Sequence, residues 1–337
     1  VKTRAFSFRL PAELIAQEPP AQRGASRLLV LDRASGALRH ARIADLPSLL
    51  PAGTVVVLND SRVRKARLFG VSQAGGAIEV LLLERLEGGR WRALAAKARR
   101  RRGRPYLFPE GLRGMIVETS GDSCTVEFAP PVDEDYLERN GHVPLPPYIR
   151  RQDTPADSTR YQTVYARHTG SAAAPTAGLH LSEELLAQLR RGGLEVVPVT
   201  LHVGLGTFLP IRSESIEAHL MHAESYRVPE ETALAVNRAL AEGRPILAVG
   251  TTAVRTLESA GRDGEVRAGE GQTSLYILPG YRFRVVSHLL TNFHTPRSSL
   301  LVLVSAFADR RAILRAYREA VRERYRFFSY GDAMLIL

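Results

Sequence analysis

Ile246-Leu-Ala-Val-Gly-Thr-Thr-Ala-Val-Arg-Thr-Leu-Glu-Ser259 is the stretch that decides the fold. Pro245 to Val249 is a short apolar run suited to a buried strand. Gly250 lets the chain turn where a side chain would clash. Thr251 and Thr252 are good N-cap types, and Val254, Leu257 and Glu258 begin a helical period. A strand therefore runs through a tight turn into a helix. In open α/β folds the free N–H groups of such a helix face the carboxyl edge of the sheet, where anions and polar ligands bind. An ordinary structural turn has the same local sequence. What distinguishes this one is that other apolar runs end in similar polar knots.

Working outward, Ser26 to Arg33 reads as a buried strand. Thr54-Val-Val-Val-Leu58 reads as a second, β-branched and apolar throughout, as expected in a sheet covered on both faces. It ends in Asn59-Asp60-Ser61-Arg62, either a closing turn or a ligand loop. Leu194 to Val203 and Arg282 to Leu290 are further strands. Helices are expected after Ser182, over Pro229 to Glu242, and after Asp309. Alternating strands and helices imply an α/β fold with a mostly parallel sheet flanked by helices.

Residues 64 to about 130 differ. Short segments near 64–70, 76–86, 90–97, 104–108, 113–119 and 122–129 are separated by glycine turns, and several alternate polar with apolar. That pattern predicts a small antiparallel β-barrel. The expected organisation is an α/β domain from 1–62 and 152–337, with the barrel inserted as 63–151. Within it Arg99, Arg100, Arg101, Arg102 and Arg104 form a basic run that suits either a phosphate-binding patch or a solvated hairpin tip.

The chain has 337 residues and a net charge of +11, so an anionic partner is expected, nucleic acid first. Of 46 basic residues only Lys2, Lys65 and Lys97 are lysine. The single cysteine, Cys124, excludes a disulfide framework or a Cys-rich zinc site. No signal-like start and no membrane-length apolar run is visible, so a cytoplasmic protein with no membrane association is expected.

Several constellations have chemical potential. His219-Leu-Met-His222-Ala-Glu224 has the spacing to hold a metal with a further ligand from His202 or His180, which would suit a metal-dependent hydrolase. The same residues also suit a His222–Glu224 proton-transfer unit, or simply one surface histidine and one hydrogen-bonded histidine. Val203-Gly-Leu-Gly-Thr-Phe208 follows a strand but lacks the third glycine of a dinucleotide fingerprint. Pro175-Thr-Ala-Gly-Leu-His180 is a turn of small residues ending in histidine. Thr291-Asn-Phe-His294 ends another strand. Tyr325 to Asp332 combines aromatics with Arg326 and Asp332.

Taken in order these stretches resemble the S-adenosylmethionine:tRNA ribosyltransferase-isomerase family of queuosine biosynthesis. The resemblance rests on Ser26 to Arg33, Val57-Leu-Asn-Asp-Ser-Arg62, Gly141-His-Val-Pro-Leu-Pro-Pro-Tyr-Ile149 and Tyr161-Gln-Thr-Val-Tyr-Ala166. It continues through Ala173 to His180, Thr200 to Phe208, Met221-His222, Gly250-Thr-Thr252, Thr291 to His294 and Tyr325 to Ile336. The family implies an α/β domain with an inserted barrel. It implies S-adenosylmethionine as ribosyl donor, with no metal or further cofactor. The implied acceptor is 7-aminomethyl-7-deazaguanine at the tRNA wobble position, and the products are epoxyqueuosine-tRNA, adenine and methionine. A monomer is expected.

That chemistry needs a base and an acid. His222 with Glu224 is the expected proton-transfer pair, with His180 and His202 in reserve. Asn59, Asp60 and Arg62 are expected on the ribose or the methionine end, and Gly250, Thr251 and Thr252 offer a helix N-terminus. Thr176, Gly178, Gly204, Gly206, Thr207, Asn292, His294 and Asp332 complete the expected substrate site. Arg67 and Arg99 to Arg102 are expected on tRNA. The sequence departs from the family's pattern at Thr273-Ser274 and at Thr295-Pro296-Arg297. A non-catalytic tRNA-binding protein and a methyltransferase remain alternative readings.

Overall fold

A computed structural model describes residues 1–121, 123–204 and 210–337. It divides into two compact units. The larger comprises Val1–Arg62, Pro146–Arg151 and Arg160–Leu337, and the smaller Val63–Leu145 with Gln152–Thr159.

The larger unit is built on a nine-stranded sheet. Its centre is four parallel strands in the order Glu195–Leu201, Val55–Asn59, Ile246–Val249 and His288–Asn292. Ala333–Ile336 runs antiparallel to His288–Asn292 and parallel to Arg27–Leu31. Leu38–Arg42 closes that edge, and Glu224–Val228 with Gly269–Thr273 closes the other, all antiparallel to their neighbours. The sheet is therefore mixed, parallel at its centre and antiparallel at both edges.

Alternation along the central strands explains why they need helices on both sides. Val55, Val57 and Ala248 belong to one buried cluster, and Val56, Leu58 and Leu247 to the other. Helices Glu230–Ala241, Thr251–Ala260, Ser299–Ala308 and Arg310–Arg322 contribute to the first, and Glu183–Arg191 to the second. The caps expected at Ser182 and Asp309 form, whereas Gly250, not Thr251 or Thr252, takes the N-cap position of the Thr251–Ala260 helix. Ser182 accepts from the Leu185 N–H, and Asp309 accepts from those of Arg311 and Ala312.

One expected strand is shorter than its sequence suggests. The strand expected over Arg282–Leu290 starts only at His288 and runs to Asn292. The cause is Glu258, a buried carboxylate on the Thr251–Ala260 helix. It accepts from the backbone N–H groups of Arg284, Val285 and Val286 and from the Tyr281 hydroxyl, so those amides are taken from any ladder.

The smaller unit is a closed six-stranded barrel. Its order is Ser123–Ala129, Arg90–Ala95, Ala77–Arg85, Arg67–Ser72, Pro105–Leu107 and Arg113–Ser120. Closure removes the free edges that short antiparallel strands would otherwise expose. Trp91, Ile116, Val126 and Phe128 are among the buried side chains. A Cβ on Gly114 would lie 2.8 Å from both Phe108 and Phe128, so glycine there lets the rings approach the wall. Cys124 is buried too, which pushes its thiol up to about 11 and leaves it unreactive.

Candidate active site

The parallel strands all end on one rim of the sheet. Asn59, Val249, Asn292 and Leu201 are their last residues. The antiparallel Glu224–Val228 begins on that rim, beside the end of Glu195–Leu201, since Leu201 pairs with Tyr226. His222 therefore lies at the same rim as Asp60 and Thr252. His180 joins them through a contact with Asn292.

At that rim Thr176, Gly250, Thr251, Thr252, Asn292 and His294 line one cleft of about 30 Å³. Gly250 adopts φ 91° and ψ 153°, a conformation open in practice only to glycine. Its own N–H bonds to the Leu290 carbonyl, and it offers no capping side chain to the helix it starts. The first N–H groups, of Thr251, Thr252 and Ala253, are left without a protein acceptor among the described residues. Thr252 Oγ1 is buried with no partner, and so is Asn292 Oδ1.

The orientation of Asn292 is fixed by its neighbours. Its Nδ2 donates to the Phe328 carbonyl, so Oδ1 is the atom left over. The second Nδ2 proton meets His180 Nε2 at 3.1 Å, making that ring nitrogen an acceptor. His180 carries its proton on Nδ1, 3.1 Å from Ser26 Oγ. Burial pushes His180 down to about 4, consistent with a neutral ring whose two nitrogens are both engaged. His180 thus holds Asn292 and has no nitrogen to offer a substrate. His294, also buried, is pushed down to about 3 and contacts Thr291 Oγ1 at 2.7 Å through Nε2.

The expected His222–Glu224 unit is not assembled, and this corrects the sequence reading. Glu224 is buried, and its oxygens receive the Gly204 N–H and the Arg255 guanidinium. Arg255 also donates to the carbonyls of Leu275 and Thr273. The carboxylate turns inward because a buried arginine waits there, while His222 lies exposed. Sequence reasoning missed Arg255. The available signal was a cation among otherwise buried positions of the Thr251–Ala260 helix.

Other expected residues have structural occupations. Asn59 accepts from the Ser61 and Leu201 N–H groups through Oδ1 and donates to the Leu201 carbonyl through Nδ2. Asp60 accepts from Thr200 Oγ1 at 2.6 Å and lies 3.6 Å from His168 Nε2. Arg62 is exposed. A Cβ on Gly178 would lie 2.0 Å from the Tyr165 hydroxyl, so that glycine serves packing. Asp332 accepts from the backbone of Arg27 and Arg326, tying the C-terminal segment to the first strand. The His202 ring lies 2.9 Å from where a Cβ on Gly170 would be. Gly206 and Thr207 lie outside the described residues.

Among the described residues no group of three or more His, Cys, Asp or Glu side chains is placed to hold a metal ion. His219 packs edge-on against Tyr276, at 5.4 Å between ring centres. The donor set that a metal-dependent hydrolase would need is therefore not assembled from these residues.

In the smaller unit the basic run forms a one-turn helix, Ala98–Arg101, rather than a hairpin tip. Lys97, Arg100, Arg101 and Arg104 line a cleft of about 490 Å³ with Tyr106. Arg101 and Arg102 each donate once to a backbone carbonyl. Arg67 is committed elsewhere, to Glu79 and to the Leu145 carbonyl.

The family model described as "Queuosine biosynthesis protein" matches residues 3–336. The chain belongs to that family. S-adenosylmethionine:tRNA ribosyltransferase-isomerases are similar to it over nearly their whole length. The protein of that name from Treponema denticola is 48% identical over 99% of both chains. The one from Syntrophotalea carbinolica is 53% identical over 98% of both. The crystal structure of the S-adenosylmethionine tRNA ribosyltransferase from Thermotoga maritima superposes with a TM-score of 0.58 at 36% identity, covering 99% of this chain and 100% of that one. The queuosine-family fold is thus the one described above, a mixed sheet with helices and a closed barrel. No helix among the described residues is long and apolar enough to cross a membrane.

Proposed function

We propose that the chain is an S-adenosylmethionine-dependent tRNA ribosyltransferase-isomerase. It transfers and isomerises the ribosyl moiety of S-adenosylmethionine onto 7-aminomethyl-7-deazaguanine at the tRNA wobble position. The products are epoxyqueuosine-tRNA, adenine and methionine. The reading includes a cytoplasmic monomer organised as an α/β domain with the barrel inserted, and no cofactor beyond the donor substrate.

The observation that carries this reading is the rim cleft. Open helix N–H groups, Thr252, Asn292 and His294 meet there, in a chain whose relatives are named for this reaction. The sulfonium acidifies the adjacent ribose 5′ C–H, so one group must accept that proton. Departing adenine must receive one. His222, exposed on the same rim, is assigned to proton transfer, and His202 is its reserve. Glu224 and His180 act by position: one holds the Gly204 backbone, the other orients Asn292. Asp60 and Arg62 are assigned to the ribose. Arg99 to Arg102 supply charge for tRNA phosphates, with Lys97 and Arg104 beside them.

The test is incubation with S-adenosylmethionine and precursor-containing tRNA. Equimolar adenine and methionine are expected. Formation of S-adenosylhomocysteine instead would mean methyl transfer and would end this reading.

A further inference from the structure

Three features of the rim cleft specify a ligand more narrowly than the reaction does. The first is the uncapped start of the Thr251–Ala260 helix, with three backbone N–H groups lacking acceptors among the described residues. Partial positive charge accumulates at such an end and favours a full negative charge. The second is Asn292 Oδ1, a buried acceptor fixed in orientation and unpaired. An oxygen of that kind requires a donor. The third is the lining. The cleft is narrow, about 30 Å³, and three threonines, Thr176, Thr251 and Thr252, line it, so its walls suit a polar group.

From these we infer that the cleft is the subsite for the α-amino-carboxylate end of the donor. The carboxylate lies on the N–H groups of Thr251, Thr252 and Ala253 and accepts from the Thr252 hydroxyl. The ammonium donates to Asn292 Oδ1. This assignment rests on the donor being S-adenosylmethionine and names which end of it binds here. A phosphate would satisfy the helix but set acceptor against acceptor at Asn292. An adenine edge would supply an amine to Asn292 but use only one of three open N–H groups. The zwitterion alone satisfies both walls. His180 becomes a positioning residue: by accepting from Nδ2 it keeps Oδ1 turned to the ammonium.

The experiment is calorimetric titration with two neutral thioethers, S-adenosylhomocysteine and 5′-deoxy-5′-methylthioadenosine. They share the nucleoside and differ in the amino-carboxylate arm. The unmodified protein should bind the first at least about 30-fold more tightly, the scale of charge-assisted hydrogen bonds. Thr252→Val keeps shape and removes the hydroxyl. It should weaken S-adenosylhomocysteine about 10-fold and leave methylthioadenosine unchanged. Equal affinities for the two thioethers, or equal weakening of both by Thr252→Val, overturn the headgroup assignment while S-adenosylmethionine still binds. Failure of the unmodified protein to bind S-adenosylmethionine at all overturns the assignment together with the proposed function.

Discussion

His180 Nε2 and Asn292 Nδ2 lie 3.1 Å apart, and with the Phe328 carbonyl on the other Nδ2 proton the pair has one allowed arrangement. The histidine is neutral and the asparagine oxygen points away from it. Two residues far apart in sequence are thereby locked as a unit at the rim where the parallel strands end.

That lock predicts a pH dependence of stability. Burial depresses His180 to about 4 and His294 to about 3, below their usual value of 6.5. Both stay neutral in the folded chain while the unfolded chain takes up protons below 6.5. Their contribution is complete above that value and declines as pH falls towards 4. The loss should be about 1.4 kcal/mol per pH unit for each histidine. Urea denaturation between pH 7 and 4.5 measures it, and His180→Gln should remove about half of the slope that these two histidines contribute.

The buried Arg255–Glu224 pair predicts an asymmetry between single and double substitution. Arg255→Met strands a carboxylate whose side chain is only 6% exposed and should cost about 3–5 kcal/mol. Arg255→Met combined with Glu224→Leu should recover much of that loss in urea denaturation. A double-variant loss equal to the sum of the two single losses would mean that the pair is not coupled.

Gly250→Ala tests the turn. A new Cβ would meet Ala177 and Thr252 only at 3.6 Å, an ordinary contact, so space is not the obstacle. The backbone is, because φ 91° with ψ 153° strains any L side chain. A loss of about 1–3 kcal/mol in denaturation is expected.

The basic barrel surface predicts a change in salt dependence. Replacing Arg99, Arg100 and Arg104 by glutamine should flatten log K against log salt for tRNA binding. Each lost phosphate contact lowers the slope by about 0.7–0.9. Arg67→Ala should leave that slope unchanged and lower barrel stability, since its guanidinium serves Glu79 and the Leu145 carbonyl.

His222→Ala should lower kcat by about 10²–10⁴, the range of a lost acid or base, with tRNA affinity retained. Unchanged turnover would move the proton-transfer role to another residue of the rim.

Much of the fold is legible because burial on both faces leaves a plain signal. Val55–Asn59 and Ile246–Val249 are continuous apolar runs, and each barrel strand is bracketed by turn residues. Gly269–Thr273 is not legible: Gly-Glu-Gly-Gln-Thr has a polar pattern because it lies at the exposed edge of the sheet. Ser299–Ala308 lacks an amphipathic period because nearly every position is buried. Thr252 and Asn292 are visible as polar residues at strand ends. Glu224's inward partner is not, since Arg255 lies 31 residues away and only the fold brings them together.

The central claim is that the ribosyl group, not the methyl group, leaves the donor for the tRNA. The most direct measurement uses S-adenosylmethionine labelled with tritium on ribose and carbon-14 on the methyl, incubated with precursor-containing tRNA. Tritium in the tRNA and carbon-14 in free methionine is the predicted outcome. Carbon-14 in the tRNA, with tritium left on S-adenosylhomocysteine, would contradict it.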